Sequence, residues 1–287
     1  TGLTNTLGVD LTPNDKGNFG ARIDVGSLQD NNTGAITSRN AYGVDVGYGF
    51  ESIKLASALE FRVDETENPD ATTSERTTWL TKTSLKYQFS PSWRFITKLN
   101  HSESESTQGE FYSGNFTESV LGYGYRPVMN DRLNALVKYT YFYNLPTADQ
   151  VTIENTAVDF IQKSNIMSLD MTYDLTRDWS LGGKYGYRAG EIAYDRVAPV
   201  FFKNNAHLYV LRADWHLVNK WDLLIEGRAL QQPDIGDSRS GMLTGLYRQM
   251  GKHVKLGIGY NFTDFSDDLT DLDYDSQGWF INIVGKI

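Results

Sequence analysis

The chain is built from short segments in which apolar and polar residues alternate. They recur at intervals of about forty residues, and six of them begin at Ile53, Trp93, Leu133, Trp179, Trp221 and Val254. Because successive side chains of a strand point to opposite faces, each segment has one apolar face and one face that carries a charge near mid-strand. The pattern therefore predicts amphipathic β-strands along most of the chain.

The connections between these segments alternate between short and long. Short turns are predicted at 50–51, 90–92, 129–132, 176–178, 219–220 and 251–252, and long links near 28–38, 64–75, 104–112, 144–163, 191–203, 232–238 and 266–276. Alternating link lengths are typical of transmembrane barrels, which have brief periplasmic turns and longer outer loops. The sequence thus predicts an all-β fold, a transmembrane up-and-down antiparallel β-barrel of about 14 strands in a bacterial outer membrane.

We assign the barrel to residues 17–287. Residues 1–16 are predicted to be an N-terminal extension, a lumen or periplasmic segment, or the remnant of a further strand pair. No signal peptide is recognisable in the sequence, so we expect a mature or excised piece.

Composition narrows the classes of function. A net charge of −9 and a pI near 5.0 argue against a nucleic-acid partner, which needs a basic stripe. Without cysteine the chain has neither disulfides nor thiol chemistry. A mean hydropathy of −0.43 is compatible with a barrel, which shows lipid only every second residue. The alternative, a soluble sandwich or propeller, would need a second sheet over the apolar face.

Aromatic residues cluster beside the predicted short turns. A membrane barrel carries such a girdle where its wall meets the lipid headgroups, so we expect contacts with outer-membrane lipid and lipopolysaccharide. The predicted girdle residues are Tyr87, Trp93, Tyr125, Trp179, Trp215 and Trp221.

The charged face of the strands is predicted to line the lumen. Its candidate residues are Arg22, Asp45, Arg94, Lys98, Lys138, Asp170, Asp174, Lys184, Arg188, Arg212, Asp214, Glu226, Arg228 and Lys255. These charges would select ions in an open bore, as in a porin. Alternatively, they would pair across strands and hold a largely closed interior.

Little in the sequence indicates catalysis or metal binding. His101, followed by Ser102, Glu103 and Ser104, is the one residue suited to a hydrolytic site, and we predict no enzyme activity and no cofactor. Asp271-x-Asp273-x-Asp275 copies the first ligands of a calcium loop but lacks its glycine and closing Glu. We interpret it as a solvated acidic loop with no metal site, although weak divalent-ion contact with lipopolysaccharide phosphates stays open.

Two stretches near the end carry resemblances. The sequence from Ser276 to Ile283 reads polar-x-Gly-x-x-apolar-x-apolar and resembles the C-terminal signal that hands outer-membrane barrels to their assembly machinery. That resemblance implies that the machinery reads Gly278, Ile281 and Ile283. Residues 259–268 and 271–280 resemble the barrel that ends many large multidomain surface proteins of Gram-negative bacteria.

These resemblances imply a membrane-embedded barrel domain that acts as an anchor or conduit for a larger outer-membrane protein or complex, with upstream domains or a partner protein. The alternative is a self-sufficient porin-like channel for small polar solutes or ions. The first is a structural module and the second a transporter.

Overall fold

A computed structural model describes residues 2–127, 132–146, 161–196, 198–217, 220–251, 254–270 and 277–285. The strands are β1 (Gly2–Asn14), β2 (Gly17–Gln29), β3 (Ile36–Gly49), β4 (Ile53–Glu67), β5 (Thr73–Ser90), β6 (Trp93–Ser106), β7 (Gly114–Tyr125), β8 (Leu133–Leu145), β9 (Ile161–Asp174), β10 (Trp179–Ala193), β11 (Phe202–Lys203), β12 (Ala206–Leu217), β13 (Trp221–Gln232), β14 (Asp237–Met250), β15 (Val254–Asn261) and β16 (Gly278–Gly285). A 3₁₀ turn covers Glu110–Tyr112, and the described residues include no helix long and apolar enough to cross a membrane.

All strands belong to one antiparallel sheet in which each pairs with the next along the chain. The two-residue β11 pairs only with β10 and lies off this path, so fifteen of the sixteen strands form the meander. The prediction of an all-β, up-and-down antiparallel fold is confirmed. The strand number exceeds the predicted 14 because β1 and the short β11 add to the expected set.

The alternating pattern gives the sheet an apolar outer face. Register places Leu7, Ile23, Tyr42, Phe61 and Trp79 side by side on β1 to β5. The side chains of Phe61 and Trp79 are in contact, with ring centroids 4.6 Å apart. A continuous row of exposed apolar side chains is costly in water and favourable in lipid, so this face is the one that a membrane covers.

Link lengths alternate between the two ends of the sheet. Residues 15–16, 50–52, 91–92 and 175–178 connect strands at one end, and 30–35, 68–72, 107–113 and 233–236 connect them at the other. These four longer links are shorter than the sequence predicts, because the strands beside them run beyond the span needed to cross the bilayer, whereas β15 ends at Asn261, ahead of the predicted link at 266–276. We call the two ends the short-turn end and the outer end.

The sheet has two unpaired edges, β1 and β16. Among the described strands, β1 pairs only with β2, and β16 pairs only with β15. Outward side chains on both edge strands are largely exposed: Leu7 is 73% and Ile281 79% exposed, against 36% for Leu256 on β15. The predicted division at residue 16 stays a prediction, while residues 2–14 continue the sheet.

Candidate functional site: the inner wall and its internal loop

The inner face of the sheet carries the charged positions of the strands. All the predicted lumen residues lie there, on the face opposite to the apolar side chains, because each occupies the alternate strand position. Their role in solute passage stays a prediction. Their contacts divide the wall into three regions.

On β2 to β4 the arginines are paired. The Arg22 guanidinium donates to Glu60 and lies 3.4 Å from Asp24, and Arg39 Nε donates to Asp64 Oδ1 at 2.6 Å. The closer contact of Arg22 reaches across β3 to Glu60 on β4. Cross-strand pairing accounts for these charges without any ligand.

On β10 to β15 the charges are paired as well. Arg212 Nε donates to Asp214 Oδ2 at 2.7 Å, and Arg228 Nε donates to Glu226 Oε1 at 2.5 Å. Lys255 Nζ lies 2.5 Å from Asp222 Oδ2. This part of the wall therefore fits the prediction of an interior held together by ion pairs.

His216 follows Asp214 by two residues on β12, and its Nδ1 lies 2.7 Å from Asp222 Oδ1 on β13. Asp214 is engaged by Arg212 instead. The two-residue spacing places Asp214 and His216 on one face of β12, but the register with β13 brings His216 to Asp222 instead.

On β4 to β8 the inward lysines lack acidic partners among the described residues, although Arg62 Nε on β4 lies 3.3 Å from Asp64 Oδ2. Lys98 and Lys138 have no carboxylate within 4.0 Å in the described part of the chain, and Arg94 Nε donates to the amide oxygen of Gln88 at 2.7 Å. Asp170 faces the same region, from the wall of a 700 Å³ groove that Arg94 also lines. Asp174 accepts a hydrogen bond from the Ser180 hydroxyl at 2.5 Å.

The link after β15 folds back onto the inner wall, which the sequence did not predict. Phe265 is fully buried and Leu269 is 4% exposed, and both belong to an apolar cluster with Ile166, Leu208 and Leu230. Those three residues lie on β9, β12 and β13. Residues 263–270, called here the internal loop, therefore fill part of the lumen beside these strands.

A polar contact holds the same loop. Lys184 Nζ donates to the Asp267 carbonyl oxygen at 2.6 Å and lies 3.3 Å from its carboxylate. Burial raises the pKa of Asp267, but the positive charges of Lys184 and Arg228 outweigh it and hold the pKa below its ordinary value. Gln162 Nε2 also donates to the Thr270 carbonyl at 3.4 Å.

Other outer links meet above the internal loop. The Arg196 guanidinium donates to the Ser113 carbonyl and lies 5.5 Å from the Phe111 ring centroid, which joins the β6–β7 link to the β10–β12 link. Asn205 N donates to Asp234 Oδ2 at 2.7 Å. The outer mouth is therefore narrowed on the β6 to β14 side.

Two aromatic groups form at the short-turn end of the outer face. The ring centroids of Trp93 and Tyr125 are 4.5 Å apart, and those of Tyr87 and Phe89, in the same group, are 5.9 Å apart. Trp179 stacks on Trp215 at 5.2 Å with an interplanar angle of 8°. Trp221 lies near them on β13, 5.2 Å under the Arg248 guanidinium. This placement is the one expected of an interfacial girdle, whose role stays a prediction.

The candidate catalytic residues do not assemble. His101 Nδ1 lies 2.9 Å from Thr117 Oγ1 on the outer face, whereas Ser102 and Ser104 point inward, and Ser104 bonds Thr78 at 2.7 Å. Adjacent residues of a strand cannot serve one site because they face opposite sides.

No three His, Asp or Glu side chains converge as metal ligands within the described ranges. The predicted acidic residues Asp271, Asp273 and Asp275 lie outside those ranges. Of the assembly-signal residues, Ile281 and Ile283 point outward from the edge strand β16, 79% and 69% exposed, and Gly278 opens that strand with φ 142°.

No family model and no curated protein matches this sequence. Solved structures match its fold. The ferric-catecholate import receptor Fiu from E. coli K12, in its open form, has a TM-score of 0.59 at 11% identity over 91% of this chain and 57% of that one. The unliganded ferric citrate transporter FecA has a TM-score of 0.56 at 14% identity, over 94% and 50%. The copper transporter OprC has a TM-score of 0.53 at 9% identity, over 98% and 56%.

At these identities the likeness concerns the fold, and the fold is that of an outer-membrane β-barrel. The chain spans between 50% and 57% of the length of these proteins. None of these three is a multidomain surface protein of the kind that the C-terminal stretch resembles, so that resemblance is not confirmed.

Proposed function

We propose that this chain forms part of the wall of an outer-membrane transport barrel and that further strands close the barrel around a solute path. The observation that carries this proposal is the pair of unpaired edges, β1 and β16. The chain is then the membrane-embedded conduit of a larger outer-membrane protein or complex, without catalytic activity.

Strand parity supports the need for further strands. In a meander each strand reverses direction, so the first and the fifteenth strands on the path run the same way. Direct closure of β1 on β16 would make one parallel seam in an otherwise antiparallel sheet. An odd number of inserted strands removes that seam, and bacterial single-chain barrels have an even strand number.

A second copy of the chain does not solve this problem. Two copies inserted in one membrane point the same way, so β1 of one copy and β16 of the other would again be parallel. Antiparallel β1–β1 pairing would require one copy to be upside down. The geometry therefore favours strands of another sequence, belonging to the same gene product or to a partner protein.

The inner wall supports transport rather than simple anchoring. Charged side chains line the inner wall in three regions. The internal loop partly fills the lumen beside β9 to β13, and the wall from β4 to β8 is open and basic. The proteins that share the fold are named as an import receptor and as metal or ferric citrate transporters. By analogy of fold, we extend only the general role of solute passage to this chain.

The second candidate is the porin-like channel. The open wall from β4 to β8 favours it, because uncompensated charges in a wet bore select ions. It would require the fifteen-strand meander to close alone, with a parallel seam.

The test compares residues 1–287 with the complete gene product in liposomes and planar bilayers. We expect the complete product to insert as a compact, heat-modifiable barrel with a regulated solute path, and residues 1–287 alone to give no stable conductance steps. Stable, uniform steps from residues 1–287 alone would establish the porin instead. Failure of both to insert into lipid would refute the membrane assignment.

The environment follows from the same proposal. The apolar face would contact outer-membrane lipid, the girdle would contact the headgroups at the short-turn end, and the outer end would contact lipopolysaccharide. The exposed β16 is where we propose that the barrel assembly machinery engages the chain, because its open backbone edge offers hydrogen bonds to a partner strand.

A further inference from the structure

We propose that the inner wall of β4 to β8 binds small solutes that carry several phosphate or carboxylate groups. The inference rests on the proposed role of the lumen as a solute path. Its site is the basic patch, defined as Lys54, Lys82, Lys86, Lys98 and Lys138.

The five lysines of the basic patch lie on one face of the sheet, on β4, β5, β6 and β8. Lys54 on β4 lies directly opposite Lys86 on β5, and Lys98 on β6 pairs in register with Ser84 of β5. Lys138 is the sixth residue of β8 and faces the same side. All five side chains sit in the half of the wall nearer the short-turn end, away from the internal loop.

The charges of the patch are uncompensated. None of its five lysines has a carboxylate oxygen within 4.0 Å among the described residues, and four of them are exposed to the lumen, with Lys138 half-buried. Like charges directly opposite one another destabilise a sheet. A net-acidic chain of −9 has many carboxylates available, and on β2 to β4 and β10 to β15 it uses them to pair its cations.

A groove lies at the edge of the patch that faces β3, and two of the five lysines line it. It has a volume of about 360 Å³, and Lys82, Lys98, Asn18 and Asn100 line it. The Asn100 amide is oriented by donating to Glu118 at 2.8 Å. This volume falls in the range of small-ligand sites, and lysine ammonium and amide groups are suitable donors to phosphate or carboxylate oxygens.

The spacing of the lysines and their exposure to water favour ligands that carry several negative charges. A single exposed lysine attracts an anion weakly, since water screens the pair. Several lysines on adjacent strands can contact one polyanion together, and the lumen walls concentrate their field. Asp45 also lines the groove and repels anions on its β3 side, so the ligand is expected to bind toward β5 and β6.

Binding of inorganic pyrophosphate to the complete protein in detergent micelles, measured by titration calorimetry at low salt, tests the inference. We expect the double variant Lys82→Gln/Lys98→Gln to weaken binding about tenfold or more, and Lys82→Arg/Lys98→Arg to restore it. Lys203→Gln is the matched control, because Lys203 is an exposed lysine on β11 at the outer end. Folding of each variant is checked by its heat-modifiable band.

Two results would overturn the inference. One is the absence of pyrophosphate binding, or binding that the double Gln variant leaves unchanged. The other is resistance of Lys82 and Lys98 to acetylation in the folded protein, which would show that an acidic polypeptide segment covers them. If the wild-type protein passes solutes in liposomes but does not bind pyrophosphate, this inference alone is defeated. If the wild-type protein binds pyrophosphate but passes no solute, the proposed function alone is defeated.

Discussion

Replacement of Phe265 by Ala should release the internal loop from the inner wall. The Phe265 side chain is fully buried, and burying a phenylalanine is worth about 1.5–3 kcal/mol. Because the loop can move into solvent when this anchor is lost, the change acts on loop docking rather than on the barrel. It should shift the ratio of docked to undocked loop by about ten- to a hundredfold.

The assay is amide hydrogen exchange of the peptide that covers residues 263–270, since exchange through local opening reports the docking free energy. The matched control is Phe262→Ala, because Phe262 is 49% exposed on the outer face only three positions away. We expect faster exchange in the Phe265 variant and wild-type exchange in the control. Equal exchange in wild type and both variants would refute the docked loop.

Further variants test the faces of the wall and the charge on the loop. Leu59→Arg on the outer face should cost about 2–4 kcal/mol of folding free energy in lipid vesicles. Ala58→Arg should cost much less, because Ala58 faces inward and lies opposite Asp45. Equal costs would refute the face assignment. Gly257→Ala should destabilise by about 1–3 kcal/mol, because its Cβ would lie 2.2 Å from the Tyr247 ring, and removal of that ring should abolish most of the cost in denaturant titrations. Asp267 stabilises loop docking at neutral pH, because its pKa is lowered from 3.8 in the docked loop. Hydrogen exchange of the loop, corrected for intrinsic rates, should therefore stay constant above about pH 4 and rise as the pH falls further. Asp267→Asn should raise loop exchange at neutral pH and remove that acid dependence.

The strands and faces were predictable because both depend on local pattern. The alternation around Ile53 and Trp93 repeats the two-residue period of a strand, and no distant contact is needed to read it. The residues around Thr6 alternate in the same way. That alternation fits an extension or part of a further strand pair, and only the register with β2 shows that residues 2–14 form an edge strand.

The contacts inside the lumen were less predictable because they join residues far apart in sequence. The alternation places Lys184 on the same face of its strand as Arg188, whereas its carboxylate partner is Asp267, 83 positions away. Phe265 and Leu269 are the apolar residues of an acidic link, and that was the available signal for a segment that turns inward. Nothing in the spacing shows which strands such a segment meets.

The central claim is that this sheet is a membrane wall with lipid outside and water inside. The most direct measurement places single cysteines at each position from Ile53 to Phe61 of β4 in the complete protein in lipid vesicles, labels them with a fluorophore, and compares quenching by lipid-bound and water-soluble quenchers. The account predicts a two-residue alternation, with Leu55 and Leu59 quenched from lipid and Ala56 and Ala58 quenched from water. Quenching from water at all positions, or no alternation, would contradict it.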